Sequence, residues 1–272
     1  NNPNEIQGDA AAAQIVLHKF IESAAYSPSL TVTSEFGCAS QQFNLPIAVG
    51  GIPDVDFTLT GVSAADPITF TNNSSVNSST TVTDDFAQLV WNFDDGTTVP
   101  PVTSGFTNPL PHSYISPGKY DVNLTVTNVL GCRNTLTKLV VIVPQVNLDT
   151  DDNAYEATFN NNDWGYQFLA EDNSTSSWGW GNPQGPVIKL QDPSNNAWTT
   201  GLTSAFNAPE RSALYSACFN IADLDRPIMT FSSFTHLGTG DGVVVEYSTD
   251  NLNVADEDKV WITLGSINQG LS

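Results

Sequence analysis

The sequence has few basic residues. Only 8 lysines and arginines stand against 29 aspartates and glutamates in 272 residues, which gives a formal net charge of −21. A surface of this sign repels nucleic acid and anionic lipid headgroups, so neither is expected as a partner. Such an acidic excess suits a protein that must stay soluble outside a cell, and it would also attract divalent cations. The length predicts two or three modules.

Long apolar runs are missing as well. No stretch approaches the roughly 18–20 apolar residues that a membrane span needs, so we expect no direct membrane insertion. The chain begins with Asn1 and carries no basic region followed by an apolar segment, so it has no signal peptide pattern. Hydrophobic residues make up 40% of the sequence, which is too many for a disordered chain. We expect the sequence to be a piece of something longer.

The common catalytic motifs are also absent. The histidines, His18, His112 and His236, lie in different segments. The sequence contains no nucleophile elbow of the form Gly-x-Ser-x-Gly, no His-Glu-x-x-His helix and no phosphate-binding Gly-Lys loop. No pair of carboxylates stands in a context typical of a hydrolase. We therefore predict that the chain is not an enzyme.

Three short stretches organise the middle of the chain: Trp91–Gly96, His112–Tyr114 and Tyr120–Thr127. The first alternates apolar and polar residues and then stops at Asp-Gly, as a strand entering a tight turn does. The third places its apolar residues on one face, which predicts a half-buried antiparallel strand. Pro117 and Gly118 predict the turn that precedes it.

These stretches resemble the PKD domain, an immunoglobulin-like module of polycystins and many bacterial surface proteins. Its signature is Trp-x-Phe-Gly-Asp-Gly, then His-x-Tyr, then Gly-x-Tyr-x-Val-x-Leu-x-Val. The sequence departs from it at Asp94, where the family usually has Gly, so the turn is expected to differ slightly. The resemblance implies a complete domain over residues 52–145, with Trp91 as the core aromatic.

The start of the chain repeats part of this domain. Residues 18–49 share eleven identities with residues 112–143 at a constant offset of 94 residues, which is one sandwich domain. Residues 1–51 are therefore predicted to be the C-terminal half of a PKD-like domain. Such a half cannot bury a core alone, so its missing strands must belong to chain upstream or to a partner. The run Ala10–Ala13 leaves a short helix as an alternative.

Cysteine is scarce, with three residues: Cys38, Cys132 and Cys218. In the Bacteroidetes-type PKD repeats that the chain resembles, the Gly-Cys cysteine commonly pairs with one before the second strand. The segment 62–67 has no cysteine, so the resemblance implies that Cys132 is a free, buried, small hydrophobic residue. Equivalent sites in tandem domains lie about a domain length apart, too far for a bridge between Cys38 and Cys132.

Residues 146–153 are acidic and polar and are predicted to be a linker or a first loop. Within residues 154–272, the alternation of Tyr155, Ala157 and Phe159 predicts a strand. The order of later segments resembles the jelly-roll modules of MAM and cleaved-adhesin type, with Ala217 in place of a usual proline. This domain is expected to be incomplete at Ser272. The predicted fold class is all-β, with tandem immunoglobulin-like (PKD) β-sandwiches followed by a jelly-roll β-sandwich.

Two candidate sites follow. Aromatic faces can stack sugar rings, and the chain concentrates four tryptophans in one stretch: Trp164, Trp178, Trp180 and Trp198. They are the candidate carbohydrate-binding residues, and packing within the sandwich is the alternative for all of them.

Oxygen ligands suit Ca²⁺. By analogy with jelly-roll adhesin modules that hold structural calcium, the candidate ligands are the carboxylates of Asp149, Asp151, Asp152 (with Glu156 nearby) and Asp241. A solvated acidic loop is the alternative for each of them.

Two functions compete. The first is a non-catalytic, modular cell-surface adhesin or filament, exported by the type IX secretion pathway and serving attachment or gliding motility. Its partners would be an extracellular glycan or protein surface, neighbouring repeats of the same chain, and type IX secretion or outer-membrane components. The second is a set of accessory PKD and binding modules of a large secreted peptidase or glycoside hydrolase. Further 94-residue repeats would favour the adhesin, and a catalytic signature would favour the hydrolase.

Overall fold

A computed structural model describes most of the chain: residues 17–64, 66–76, 78–79, 81–97, 99–106, 108–148, 155–171, 174–185, 187–190, 192, 194–249 and 260–264. Every regular element within these ranges is a β-strand, so the predicted all-β fold class is confirmed. No helix in the described part is long and apolar enough to cross a membrane.

The central unit is a sandwich of two three-stranded antiparallel sheets. Its strands are β5 (Phe57–Thr60), β6 (Ile68–Asn72), β7 (Phe86–Asn92), β8 (Leu110–His112), β9 (Gly118–Asn128) and β10 (Arg133–Ile142). In the first sheet the order is β5–β6–β8, and in the second it is β10–β9–β7. This is an immunoglobulin-like arrangement.

The alternation of apolar residues explains the core. Side chains point alternately to the two faces of a strand, so every second residue of β9 faces the other sheet. Val122, Leu124 and Val126 are fully buried there, as are Phe57 and Phe70 on the opposite sheet. The polar residues between them lie on the outer face, which is why a strand with this alternation can cover a core and still face water.

Trp91 is the central aromatic of this core, as predicted, with 5% of its surface exposed. Its ring meets Phe57 edge-on, with 5.1 Å between centroids, and lies parallel to Phe93 at 5.7 Å. Aromatic pairs at these distances add to the stability gained by burying their area. The tryptophan therefore joins both sheets at the end of β7.

The N-terminal residues form an antiparallel hairpin of four short strands: β1 (Ala24–Tyr26), β2 (Ser29–Leu30), β3 (Phe43–Asn44) and β4 (Ile47–Val49). Leu30 pairs with Phe43, and Tyr26 with Ile47. In the central unit, Leu124 pairs with Leu136. The two hairpins thus agree in register to within one residue at the 94-residue offset.

The two hairpin turns have the same hydrogen bonds. The Cys38 N–H donates to the Ser34 side-chain oxygen at 3.2 Å, as the Cys132 N–H donates to Asn128 Oδ1 at 2.7 Å. Gly37 and Gly131 occupy the same place, with φ of 78° and 83°, a conformation that glycine adopts without steric cost. The repeat in sequence is therefore also a repeat in local structure. The helix considered for Ala10–Ala13 lies outside the described residues.

The two hairpins differ in how deeply their apolar side chains are buried. Leu30 is 62% exposed, and Val32 is 59% exposed. Their counterparts at the 94-residue offset, Leu124 and Val126, are completely buried. Within the described residues, the N-terminal hairpin thus has the form of its counterpart but no sheet packs against its apolar face.

The N-terminal hairpin contacts the turn at the far end of β9. Asn128 donates through Nδ2 to the Gly51 carbonyl at 2.9 Å, and Cys132 Sγ lies 3.5 Å from the Gly50 carbonyl. A Cβ added to Gly50 would lie 2.8 Å from the Cβ of Leu130, so only glycine fits this approach. All three cysteines of the chain are free thiols, with Cys132 half-buried at this junction.

The C-terminal unit is built from short paired strands: β11 (Gln145–Asn147), β12 (Gln167–Ala170), β13 (Trp178–Gly181), β14 (Ala197–Thr200), β15 (Ser212–Tyr215), β16 (Cys218–Asn220), β17 (Glu246–Tyr247) and β18 (Ile262–Thr263). Three hairpin-like pairs are antiparallel, β12–β15, β13–β14 and β17–β18. Together with the central sandwich, these strands fit the predicted immunoglobulin-like and jelly-roll β-sandwich class.

The C-terminal unit joins the central one without a gap. β11 follows β10 almost directly and pairs in parallel with β16, so Val146 and Asn147, which the sequence assigned to a linker, lie in a strand. Gly165 packs so closely that a Cβ there would lie 2.7 Å from Pro144 Cγ and 3.1 Å from Pro117 Cγ. Lys119 Nζ lies 3.5 Å from the ring centre of Phe168, a cation–π contact across the same junction.

One predicted strand is wrong. Residues 155–159 are not a strand, although their apolar residues alternate. Tyr155 packs edge-on against both Trp164 and Phe219, and Phe159 has a φ of 59°. Because a positive φ is incompatible with an extended strand, the segment is an irregular loop.

The repeat allows a matched stability test. We expect Leu124→Ala to lower the free energy of unfolding by about 2–5 kcal/mol, since it opens a cavity in a closed core. The counterpart change Leu30→Ala should cost less than about 0.5 kcal/mol, because most of that side chain is already in water. Urea denaturation of the two variants checks this, and equal losses would contradict the difference in burial between the hairpins.

Candidate functional site

The turn after β7 is held by its own side chains. The Asp94 N–H donates to Asn92 Oδ1 at 2.9 Å, which fixes the start of the turn. Thr97 donates to Asp95 Oδ1 through both its N–H, at 3.0 Å, and its hydroxyl, at 2.7 Å. Asp and Asn side chains commonly stabilise turns in this way. The second oxygen of Asp95 is thereby aimed at the neighbouring strand.

His112, at the end of β8, forms a hydrogen bond with this second oxygen of Asp95. Its Nε2 lies 2.8 Å from Asp95 Oδ2, and both side chains are 11% exposed. The imidazole stacks on Phe93 with 3.8 Å between ring centres, and Tyr114 meets its edge at 4.8 Å. The Tyr114 hydroxyl donates to the Phe93 carbonyl at 3.2 Å. The turn, β8 and the segment that follows β8 are thus joined by one cluster of aromatic and polar contacts.

The ionisation of this cluster follows from its contacts. Burial raises the pKa of Asp95, but the hydrogen bonds from Thr97 and the contact with His112 outweigh it and hold the pKa below its usual value. Burial, and then the charge of Asp95, raise the pKa of Tyr114. At neutral pH the carboxylate is therefore ionised and the phenol protonated, which is the state that these hydrogen bonds need.

Asp94 explains the departure from the family signature. Its φ is 61°, a left-handed conformation that glycine adopts freely and other residues adopt at a cost. Its Oδ2 accepts a hydrogen bond of 3.0 Å from the Asp121 N–H on β9, which a glycine could not provide. A glycine here would adopt the same φ without steric cost, whereas Asp94 adds a contact to the neighbouring strand.

The four candidate tryptophans lie in the C-terminal unit, and all are half-buried. Trp180 on β13 pairs across the ladder with Trp198 on β14. Trp180 donates through Nε1 to the Phe159 carbonyl at 2.8 Å, and Trp198 donates to the Asp163 carbonyl at 3.2 Å. These bonds tie the β13–β14 ladder to the loop before β12. They fix the orientation of both indole rings.

The indole N–H groups of the other two tryptophans lie in a different environment. Within the described residues, the Nε1 atoms of Trp164 and Trp178 are buried without a hydrogen-bond partner, as is the hydroxyl of Ser177. Trp164 packs against Tyr155 with 5.5 Å between ring centres. The tryptophans therefore contribute to packing in this unit, and stacking of a sugar on them stays a prediction.

Polar groups that the sequence did not single out lie beside this ladder. Glu210 accepts three hydrogen bonds, from the Ser177 N–H at 2.8 Å, the Ser212 hydroxyl at 2.6 Å and the Asn207 N–H at 3.1 Å. Burial raises the pKa of Glu210, but these donors outweigh it and lower the pKa. Its partners are up to 33 residues away, so no local motif could have identified it.

A cleft of about 240 Å³ opens at the end of β13. Its lining is mixed polar and apolar and consists of Asn182, Pro183, Gln184, Lys189 and Leu190. The Asn182 side chain donates to the Asn195 carbonyl at 2.9 Å and so links the cleft to the segment before β14. The volume suits at most a small ligand or part of a larger one.

The candidate calcium ligands are not brought together. Asp149, Asp151 and Asp152 lie outside the described residues. Asp241 is exposed, and its Oδ2 accepts the Gly238 N–H at 2.9 Å, as in a turn. No three His, Cys, Asp or Glu side chains of the described ranges lie close enough to hold a metal ion. Calcium binding by these residues stays a prediction.

Comparison with known families identifies the central unit. Residues 53–143 match the PKD domain family, the span of the two-sheet sandwich and its aromatic cluster. The chain contains a PKD domain. The PKD signature residues predicted from the sequence are the ones that form the turn and the cluster around His112. No curated protein matches the chain.

Solved structures give weaker likenesses. The PKD1 domain of Vibrio anguillarum Epp is 22% identical, covers 35% of this chain and 96% of its own, and has a TM-score of 0.28. The PKD1 domain of the Vibrio cholerae metalloprotease PrtV is 23% identical, with 34% and 98% covered and a TM-score of 0.27. A structure that concerns the promiscuous specificity of carbohydrate-binding modules from the β-sandwich superfamily is 24% identical, with 48% of each chain covered and a TM-score of 0.30.

Asp94 gives the first test of the site. Asp94→Ala keeps the left-handed backbone and loses the bond to Asp121, so we expect it to destabilise the PKD domain by about 1–2 kcal/mol. Asp94→Gly loses the same bond but relieves the backbone, so it should be about 1 kcal/mol more stable than the alanine variant. Urea denaturation of both variants measures the difference. Equal stabilities would show that the positive φ carries no cost.

The acid stability of the domain should depend on Asp95. Its folded-state pKa is lowered, so its stabilising contribution is present above the unfolded value of about 3.9 and is lost as the pH falls through the folded value. Asp95→Asn should therefore lower the melting temperature at neutral pH and flatten its decline as the pH falls below the unfolded-state pKa. A decline as steep as in the unchanged protein would show that other carboxylates dominate.

Proposed function

We propose that this chain is a non-catalytic, load-bearing segment of an extracellular adhesin or filament displayed at the cell surface. The observation that supports this is the position of the two junctions. The N-terminal hairpin contacts the turn at residues 128–132, and the C-terminal unit contacts Pro117, Lys119 and Pro144. These contacts lie at opposite ends of the β9–β10 hairpin, separated by roughly the length of its eleven-residue strand, on the order of 33 Å.

Such an arrangement transmits force along the PKD domain. Val143, at the exit of the domain, pairs in parallel with Ser63, with bonds of 2.8 Å from the Val143 N–H to the Val62 carbonyl and 3.2 Å from the Ala64 N–H to the Val143 carbonyl. A pull on the exit strand loads parallel hydrogen bonds together, in shear, so they must break as a group. Directly docked neighbours would pass such a load on, whereas a flexible linker would absorb it.

The partners in this proposal are an extracellular glycan or protein surface and neighbouring repeats of the same chain. The acidic composition disfavours nucleic acid and anionic membranes. A glycan would contact the β13–β14 ladder, where Trp180 and Trp198 pair beside a cleft. Export by the type IX pathway, with outer-membrane components as partners, and a role in gliding belong to the same proposal. They are supported by the resemblance of the repeats to Bacteroidetes-type surface proteins.

A gene deletion in the source organism tests the function. Removing the PKD domain and the C-terminal unit in frame should reduce attachment of cells to surfaces and leave peptidase and glycosidase activities of the culture medium unchanged. A control strain that carries only Ile115→Ala, at a side chain that is 95% exposed, should attach normally. Unchanged attachment with loss of a secreted hydrolase activity would overturn the proposal in favour of accessory modules of a hydrolase.

We also propose that Ca²⁺ binds the acidic junction at Asp149, Asp151 and Asp152, with Asp241 as a separate candidate. Neighbouring carboxylates repel one another, and a bound cation would turn that repulsion into attraction. Binding to the folded form alone would stabilise it by about 3 kcal/mol at a hundredfold excess over the dissociation constant.

Melting curves with calcium and with chelator test this, at fixed ionic strength so that general screening is not mistaken for binding. We expect a higher midpoint with calcium, and the shift should vanish when the three junction aspartates are changed to asparagine. Asp241→Asn should leave the shift in place. Coincident midpoints for the unchanged protein would show that the junction is only a solvated acidic segment.

A further inference from the structure

The N-terminal hairpin exposes a surface that the complete PKD domain buries. Leu30 and Val32 are mostly in water, whereas Leu124 and Val126 are fully buried. Phe43, which pairs with Leu30, is 64% exposed. The two hairpins share their turn hydrogen bonds and differ by one residue in strand pairing, so the large difference in burial lies in what packs against the strands.

The complete domain shows which strand flanks the equivalent residues. β7 pairs antiparallel along the edge of β9, with Trp91 opposite Leu124 and Leu89 opposite Val126. At the 94-residue offset, these β9 positions correspond to Leu30 and Val32. A strand with the chemistry of β7 would therefore place an indole and a leucine beside the two exposed side chains, on the same face of the sheet.

The backbone of the hairpin is arranged to receive such a strand. The Ser40 N–H donates to the Val32 carbonyl at 2.7 Å, and the Ser34 N–H donates to the Cys38 carbonyl at 2.9 Å, so both residues direct their backbone groups inward. Successive residues of a strand direct these groups to opposite edges. Ser29, Thr31 and Thr33 thus present theirs to the outer edge, where the described residues provide no strand.

We propose that the outer edge of residues 29–33 is the docking site of a β-strand with the apolar–polar alternation of β7, supplied by the same natural polypeptide N-terminal to this sequence. The 94-residue offset supports that source, since the counterpart of Phe86–Asn92 falls before residue 1. The strand extends the sheet of the N-terminal hairpin and places apolar side chains beside Leu30 and Val32, so that an opposing sheet can close over one continuous apolar face. This inference is independent of the proposed adhesin function and can fail without it.

The experiment extends the full chain by a copy of its own residues 53–94, placed directly before Asn1, which restores the spacing of the repeat. Amide hydrogen exchange reports the docking. We expect the amides of Ser29, Thr31 and Thr33 to exchange at least about tenfold more slowly in the extended chain, since the added strand takes up their hydrogen bonds. The Leu30 and Val32 amides, which point to the hairpin partner, should change less.

Two controls keep the test specific. The same extension with Leu89→Asn and Trp91→Asn in the added copy only should give no protection, because the strand then has no apolar face. Leu30→Asp should abolish protection in the extended chain, while in the unextended chain it should leave the melting curve unchanged because that side chain is exposed.

Other outcomes overturn the inference. Exchange at residues 29–33 that is unchanged by the intact extension would show that the edge accepts no such strand. Equal protection by a free peptide of residues 84–94, added at the same concentration as the chain, would show that any polypeptide can supply the strand, against the assignment to the same chain. Protection by the Leu89→Asn and Trp91→Asn extension would show that docking does not depend on the chemistry of β7.

Discussion

The long β9–β10 hairpin is the element on which the rest of the structure depends. Its ladder runs without a break from Thr127 opposite Arg133 to Gly118 opposite Ile142. One face supplies the fully buried residues of the PKD core, and β7 adds to its edge. Its turn receives the N-terminal hairpin, and its open end receives the C-terminal unit. Because an antiparallel ladder of this length is stiff along its axis, both neighbours are positioned by one rigid element, and a change in its register would displace the core and both junctions together.

The aromatic cluster secures the first sheet, β5–β6–β8, to this hairpin. β8 is only three residues long, too short to hold its place by ladder hydrogen bonds alone. His112 at its end is instead held between the ring of Phe93 and the carboxylate of Asp95. The turn that presents both groups needs a left-handed residue at Asp94, so the local backbone cost is offset by the contacts that the turn makes possible. In this cluster the carboxylate–imidazole hydrogen bond and its aromatic neighbours hold the structure together, and protein donors engage the carboxylate oxygens.

The sequence predicted features that depend on residues close together in the chain, and it predicted fewer of the features that join distant residues. Strict alternation predicted the strands of the PKD domain, and the Asp-Gly pair predicted the turn after β7, because these patterns act over a few residues. The turn predicted at Pro117 and Gly118 lies slightly earlier, at residues 115–116, and Gly118 begins β9. Alternation failed at Tyr155–Phe159, where aromatic packing and a left-handed Phe159 prevail. The parallel pairing of β11 with β16 and the bonds around Glu210 join residues far apart in the chain, so no local pattern marks them. The candidate tryptophans were found by composition, but composition could not show that two of them are tied to a loop by their indole N–H groups.

The repeated segment Leu-Thr-Val-Thr shows that hairpin formation and side-chain burial are determined by different parts of the chain. At residues 30–33 and 124–127 the same four residues occur in hairpins with matching turns, so the extended backbone and the turn are encoded locally. Their apolar side chains are nevertheless mostly exposed in the first copy and fully buried in the second. Burial is therefore decided by strands that lie far away in sequence: the opposing sheet β5–β6–β8 covers Leu124 and Val126, and β7 flanks them within their own sheet. Since most of the stability of a sandwich comes from that burial, a hairpin with the right pattern is necessary for the domain but becomes stable only when the opposing strands are present.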